Sequence, residues 1–124
     1  MTFSLNAKII EPNNKENIDN AIILLHGYGG DGQDISILTL GWKRFLKNTV
    51  FLCPDAKERC VVNPAGYQWF DLSNEDPKYI LEESKKAEII LLKFIGEVKK
   101  EYNLTQNLRL LLEYDGCSFL SYLF

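Results

Sequence analysis

Two hydrophobic periods alternate along this chain. Thr2–Ile10 alternates loosely and predicts a first strand, followed by a polar, turn-rich loop over Glu11–Asn20. Ala21–Leu25 is an unbroken apolar run, the pattern of a strand covered on both faces. Ile35, Leu38, Trp42, Phe45 and Leu46 then recur at helical spacing and predict a helix over Gln33–Leu46. Val50–Cys53 reads as a second buried strand, stopped by Pro54, and Asp55–Asn74 as a long irregular segment carrying GYQWFDL. Asp76-Pro77 supplies a capping acid and a first-turn proline. Beyond it Ile80, Ala87, Leu91, Phe94, Val98 and Tyr102 trace one face of a long helix, and Leu108–Leu112 reads as a third buried strand. Strand, helix, strand, helix, strand in that order predicts an α/β fold, a mostly parallel sheet with flanking helices joined by right-handed crossovers.

Composition narrows the function classes. With 124 residues the chain holds one domain or part of one, and 46% hydrophobic with 25% charged residues is ordinary for a globular protein. A formal charge of −3 without a basic run argues against nucleic acid as a main partner. No apolar run approaches the roughly 20 residues of a membrane span. The first twenty residues lack a basic-then-apolar signal pattern, so a cytoplasmic location is expected. Cys53, Cys60 and Cys117 lack metal-site spacing and read as free thiols, with no metal or other cofactor implied. The charged positions of the long helix, Glu82, Glu83, Lys85, Lys86, Lys93, Lys99 and Lys100, read as solvated surface.

The segment AIILLHGYGGDGQD, Ala21–Asp34, carries the chemistry. A buried strand that ends in a glycine loop and feeds a helix gathers backbone N–H groups around an open space. Two uses compete. Gly27-Tyr28-Gly29-Gly30-Asp31-Gly32 satisfies G-x-G-x-x-G, with Asp55 at a ribose-binding distance along the chain, so a small anion- or nucleotide-binding module is one reading. Asp31 inside a pyrophosphate site and Pro54 before Asp55 count against it. The other use is an oxyanion loop, in which fixed N–H donors face an oxygen that becomes negative during acyl transfer.

LLHGYGGDGQD, FLCPDAKERC and GYQWFDL, in that order, resemble the phospholipase/carboxylesterase family of serine esterases, which includes acyl-protein thioesterases. The resemblance runs from about Ala21 to about Leu112. It implies the N-terminal portion of an α/β-hydrolase fold, with acyl esters or thioesters as the substrates of the intact family. It also implies an oxyanion loop at His26, Gly27, Tyr28 and Gly29, with Tyr28 N–H as donor, and Trp69 and Phe70 beside the substrate. Read from the residues alone, Trp69 and Phe70 are core packing.

The catalytic residues expected of such an enzyme do not follow. The family's chemistry needs Ser, Asp and His in that order, with the serine in a G-x-S-x-G elbow. Gly116-Cys117-Ser118 matches half an elbow, Leu120 stands where the second glycine belongs, and Ser118 reads as an ordinary serine in an apolar tail. The single histidine, His26, lies in the glycine loop, and nothing in the sequence orients a Cys117–His26 dyad. The expectation is therefore residues 1–112 as the first part of a hydrolase domain and 113–124 as a divergent apolar tail, produced by a frameshift or truncation. Such a chain is expected to lack a catalytic triad, to be inactive alone, and to be poorly soluble or self-associating unless a C-terminal fragment complements it.

Overall fold

The computed structural model describes residues 2–14 and 17–104, and the backbone of 108–112. Ser118, Cys117 and the rest of the apolar tail lie outside the described residues. Among the described residues there are six strands and three α-helices: β1 (Ala7–Ile10), β2 (Asn20–Leu25), α1 (Gly32–Ile35), α2 (Thr39–Trp42), β3 (Thr49–Pro54), β4 (Glu58–Arg59), β5 (Tyr67–Gln68), α3 (Pro77–Glu101) and β6 (Leu108–Leu112). The main sheet has the order β1-β3-β2-β6, with β2 parallel to both β3 and β6 and β1 antiparallel to β3.

Strand alternation sorts the core into two layers. Ala21, Ile23 and Leu25 of β2 join Val50 and Leu52 of β3 in a cluster with Ala87, Leu91, Phe94, Ile95 and Val98 of α3. The intervening Ile22, Leu24, Phe51 and Cys53 face the other way and meet Ile35, with Ile10 and Trp42 partly buried beside them. β2 and β3 are thus covered on both faces, which is why both read as continuous apolar runs.

The long helix forms where its signals place it. Asp76 accepts from Lys78 N–H at 3.1 Å, and Pro77 opens the first turn. At the far end Asn103 takes φ 54°, and Leu104 N–H reaches back to Lys99 O at 2.9 Å. That closure satisfies a free carbonyl and turns Leu104 into the core.

Three expectations are corrected. First, the sheet strand starts at Ala7, not Thr2. Ser4 N–H and Oγ both donate to Glu97 of α3 at 2.8 Å, and Phe3 meets Phe94 edge-on, so the first residues are tied to α3 instead of the sheet. Second, no continuous helix spans Gln33–Leu46: α1, a 3₁₀ turn over Ser36–Leu38 and α2 follow one another. The Ser36 hydroxyl donates to Gln33 O and the Thr39 hydroxyl to Ser36 O, bonds that compete with regular helical turns. The tighter turn shifts the phase, and Leu38, Phe45 and Leu46 face solvent instead of the core. Third, Asp55–Asn74 is not wholly irregular, because β4 and β5 pair through Glu58–Gln68 and Arg59–Tyr67.

Candidate functional site

The glycine loop leaves the C-terminal end of β2, the end at which parallel sheets build their sites. Its backbone is tightly specified. Gly30 N–H closes a turn on Gly27 O at 3.1 Å, and Gly29 occupies φ 83°, a left-handed conformation that favours glycine. The β4–β5 hairpin then grips the loop from outside. Gly29 N–H donates to Tyr67 O and Tyr67 N–H to Gly30 O, both at 2.9 Å, and Asn63 Nδ2 donates to Gly29 O at 2.8 Å. Gly66 lies so close that a Cβ there would stand 2.0 Å from Gly29 O.

His26 sits beneath this loop, fully buried. Its Nε2 faces the backbone N–H of Ala56 at 2.9 Å. An amide N–H only donates, so Nε2 is the acceptor and the ring proton sits on Nδ1. Nδ1–H then donates to Gly27 O at 2.7 Å. Trp69 stacks on the imidazole with centroids 5.2 Å apart and donates its indole N–H to His26 O at 2.9 Å. The imidazole therefore ties the glycine loop to the segment after β3, and Trp69 ties it to GYQWFDL.

A second tie runs through Tyr28, whose hydroxyl donates to Asp71 Oδ1 at 2.9 Å. Asp71 also accepts from the Ser73 hydroxyl at 2.6 Å and from Ser73 N–H at 3.0 Å. The Ser73 hydroxyl, then Ser73 N–H, hold the Asp71 carboxyl below its ordinary range, with a smaller contribution from Tyr28. Partial burial, and then the bond to Asp71, push the Tyr28 phenol up to about 12. With its side chain fixed this way, Tyr28 presents a backbone N–H that has no acceptor among the described residues.

The other candidate residues fall into distinct places. Trp69 and Phe70 are buried in the α3-side core, and both also border a cavity of about 370 Å³ between the hairpin and α3. Asp55 accepts Gly32 N–H at 2.8 Å and the Asn6 side-chain amide at 3.0 Å, while Asp31 accepts Asp34 N–H at 2.7 Å. Two carboxylates thus occupy the start of α1, where a pyrophosphate would have to bind. Gly32 is required by packing, since a Cβ there would lie 1.9 Å from Cys53 O. Among the described residues, no cluster of three or more histidines, cysteines and acids stands ready for a metal ion, and no helix is long and apolar enough to cross a membrane. Ala56 N–H, Asn63 and Gly66 are the site residues that sequence reading missed. The partner at Ala56 is a backbone group and leaves no residue-type signal, whereas Gly66 beside the QWFD motif offered one.

Comparison with known proteins places the chain among esterases by family and by fold. The phospholipase/carboxylesterase family model matches residues 5–105. The crystal structure of esterase PE8 superposes with a TM-score of 0.83 at 28% identity, over 95% of this chain and 56% of that one. The Bacillus cereus carboxylesterase gives 0.71 at 18% identity, over 97% and 53%. Acyl-protein thioesterase 2 of Zea mays gives 0.55 at 22% identity, over 86% and 44%. The chain spans about half the length of the solved structures it matches, and its sheet and helices form part of an α/β-hydrolase fold. A glycine loop held from both sides at the end of β2, and a family match over most of the sequence, lead to one assignment: this chain belongs to the phospholipase/carboxylesterase family.

Proposed function

We propose that this chain is the oxyanion-binding part of a serine esterase of the carboxylesterase or acyl-thioesterase type, and that it does not complete a catalytic cycle alone. The observation that carries the reading is the state of His26. Both ring nitrogens are engaged in holding backbone, with Nδ1 on Gly27 O and Nε2 on Ala56 N–H. A general base must have a free acceptor within reach of the nucleophile's proton. His26 spends its acceptor on Ala56, and it is the chain's one histidine.

In this reading the loop supplies electrostatic stabilisation. Attack on an ester or thioester carbonyl moves charge onto its oxygen, and a backbone N–H already fixed in place lowers that barrier without reorganising. Tyr28 N–H is the proposed donor, Gly27 and Gly29 allow close approach, and His26, Trp69 and Asp71 hold the loop still. Trp69 and Phe70 support the acyl side of the site from the core. The nucleophile, acid and base come from outside residues 2–112. A small anion- or nucleotide-binding role is disfavoured by Asp31 and Asp55, whose charges repel a phosphate at the start of α1.

A fluorophosphonate probe, which labels only activated serines, tests the proposal. The chain alone is expected to stay unlabelled under conditions that label a complete serine esterase. Stoichiometric labelling at one serine would contradict it.

A further inference from the structure

We propose that the cavity at the base of the sheet, between the loop after β1 and the segment joining α2 to β3, binds a phosphate monoester carried on an apolar body. β1 runs antiparallel to β3, so the chain leaving β1 and the chain entering β3 meet at one end of the sheet. β2 starts at that same end, and the glycine loop leaves it at the other, beyond Leu25. At about 3.3 Å per residue the two places lie on the order of 17 Å apart. β1 is also an edge strand, on the side of the sheet away from β6. The cavity is therefore separate from the glycine loop.

Charge decides what the cavity takes. Lys43, Arg44 and Lys47 line a volume of about 630 Å³, and no carboxylate lines it among the described residues. None of the three is ion-paired among the described residues, in contrast to Lys86, which Glu83 holds at 3.1 Å. The chain as a whole carries a formal charge of −3, so the positive charge gathered within residues 43–47 is a local feature. Asn13 and Asn48 add side-chain amides to the lining, which donate N–H groups to oxygen. Two carbonyl oxygens of the turn, which would repel an anion, are engaged elsewhere. Asn48 O accepts from Asp19 N–H at 3.0 Å and from Asn20 N–H at 3.3 Å, and Lys47 O accepts from the Thr49 hydroxyl at 3.2 Å.

Three cations suit a group of high charge density. A phosphate monoester carries about −1.5 to −2 at neutral pH, offers several acceptor oxygens and takes a planar guanidinium bidentately. Carboxylates and sulfate esters bring a single charge. The cavity is also much larger than a phosphate group and falls within the roughly 300–1,000 Å³ typical of small-molecule sites. Leu40 and Leu46 form its apolar wall, 72% and 40% exposed, and favour a hydrocarbon body beyond the ester oxygen. A free alkyl phosphate and the headgroup of phosphatidic acid share this chemistry.

Calorimetric titration of the full chain with hexyl phosphate, methyl phosphate and hexyl sulfate tests the proposal. Hexyl phosphate is expected to bind saturably at one site, about tenfold or more tighter than either of the others, and to weaken as salt is raised. Arg44→Gln with Lys47→Gln is expected to weaken it about tenfold or more. Leu40→Ser should narrow the gap between hexyl and methyl phosphate, and Lys99→Gln with Lys100→Gln at the end of α3 should change nothing. All these side chains are exposed, so circular dichroism of each variant should match the parent. Flotation with phosphatidylcholine vesicles, with and without phosphatidic acid, separates the two sources. Hexyl phosphate binding together with flotation that needs phosphatidic acid, both lost in the Arg44 and Lys47 variant, identifies a lipid headgroup. Hexyl phosphate binding without flotation identifies a free ester, and either result upholds the site. The proposal is overturned if hexyl phosphate does not bind, if the Arg44 and Lys47 variant binds it as tightly as the parent, or if hexyl sulfate binds equally well.

Discussion

Trp69 both stacks on the His26 imidazole and donates its indole N–H to the His26 carbonyl, at 5.2 Å between centroids and 2.9 Å between heavy atoms. One side chain therefore holds both the ring and the backbone of the residue on which the glycine loop turns. Trp69→Phe keeps an aromatic face but leaves a buried carbonyl without that donor. The expected loss is about 1–3 kcal/mol, the cost of an unsatisfied buried polar group, read from urea unfolding. A loss below a few tenths of a kcal/mol would show that the bond does not brace the loop.

His26→Ala removes the imidazole acceptor of Ala56 N–H, leaves Gly27 O with Gly30 N–H but without Nδ1–H, and opens a cavity beneath the loop. It is expected to cost more than Trp69→Phe, on the order of 2–4 kcal/mol. In a double-mutant cycle the two changes should couple by at least about 0.5 kcal/mol, because they share contacts. Additive losses would mean that the residues act independently.

Glycines separate by what surrounds them. Gly32→Ala and Gly66→Ala would place a Cβ 1.9 Å and 2.0 Å from the carbonyl oxygens of Cys53 and Gly29, where backbone must move. Both variants are expected to unfold the chain or displace the loop. Gly96→Ala in α3 meets nothing within 4 Å and is expected to stabilise by about 1 kcal/mol through helix propensity. Thermal unfolding of the three variants side by side checks the order.

Alkaline pH probes the Tyr28–Asp71 tie. The Tyr28 phenol is raised from an ordinary value of 10.0 to about 12, so the folded state keeps its proton where the unfolded state loses it. The stabilisation is complete below pH 10 and is lost as pH rises towards 12. Tyr28→Phe is expected to flatten this part of the stability profile. Tyr102, which burial also raises to about 12, should leave a residual slope. Asp71 works in the opposite sense. Its lowered carboxyl stabilises above the ordinary carboxylate value and loses that contribution as pH falls through the folded one. An unchanged alkaline profile in Tyr28→Phe would show that the hydrogen bond carries no linkage.

Thiol chemistry reports on the sheet. Burial pushes the Cys53 thiol up to about 11 and hides it between β1 and β2. Alkylation of Cys53 at neutral pH is expected to follow global unfolding, with the same denaturant dependence. Rapid modification of the native chain, mapped to Cys53 by peptide mass, would contradict this packing.

Reading the sequence succeeded where one residue pattern had one physical cause. β2 and β3 run between two apolar layers, so Ala21–Leu25 and Val50–Cys53 could be read without ambiguity. The Asp76 cap, Pro77 and the buried face of α3 all pointed to the same helix. The failure at Gln33–Leu46 has a physical reason as well. Leu38, Phe45 and Leu46 recur at helical spacing, yet in this chain they face solvent, so their periodicity misplaced the core. The glycine loop at the end of β2 was legible as a loop because its glycines stand out. Its bracing was not, because Ala56 N–H, Tyr67 O and Gly30 O are backbone groups that any residue would supply.

Hydrolysis of p-nitrophenyl butyrate by the purified chain, compared with buffer and with a complete carboxylesterase, tests the central claim most directly. If the loop has the oxyanion role proposed above, in a chain whose one imidazole is committed to structure, the chain should release nitrophenolate no faster than buffer. Saturable turnover at an enzyme's rate, abolished by replacing a single serine, would contradict the account.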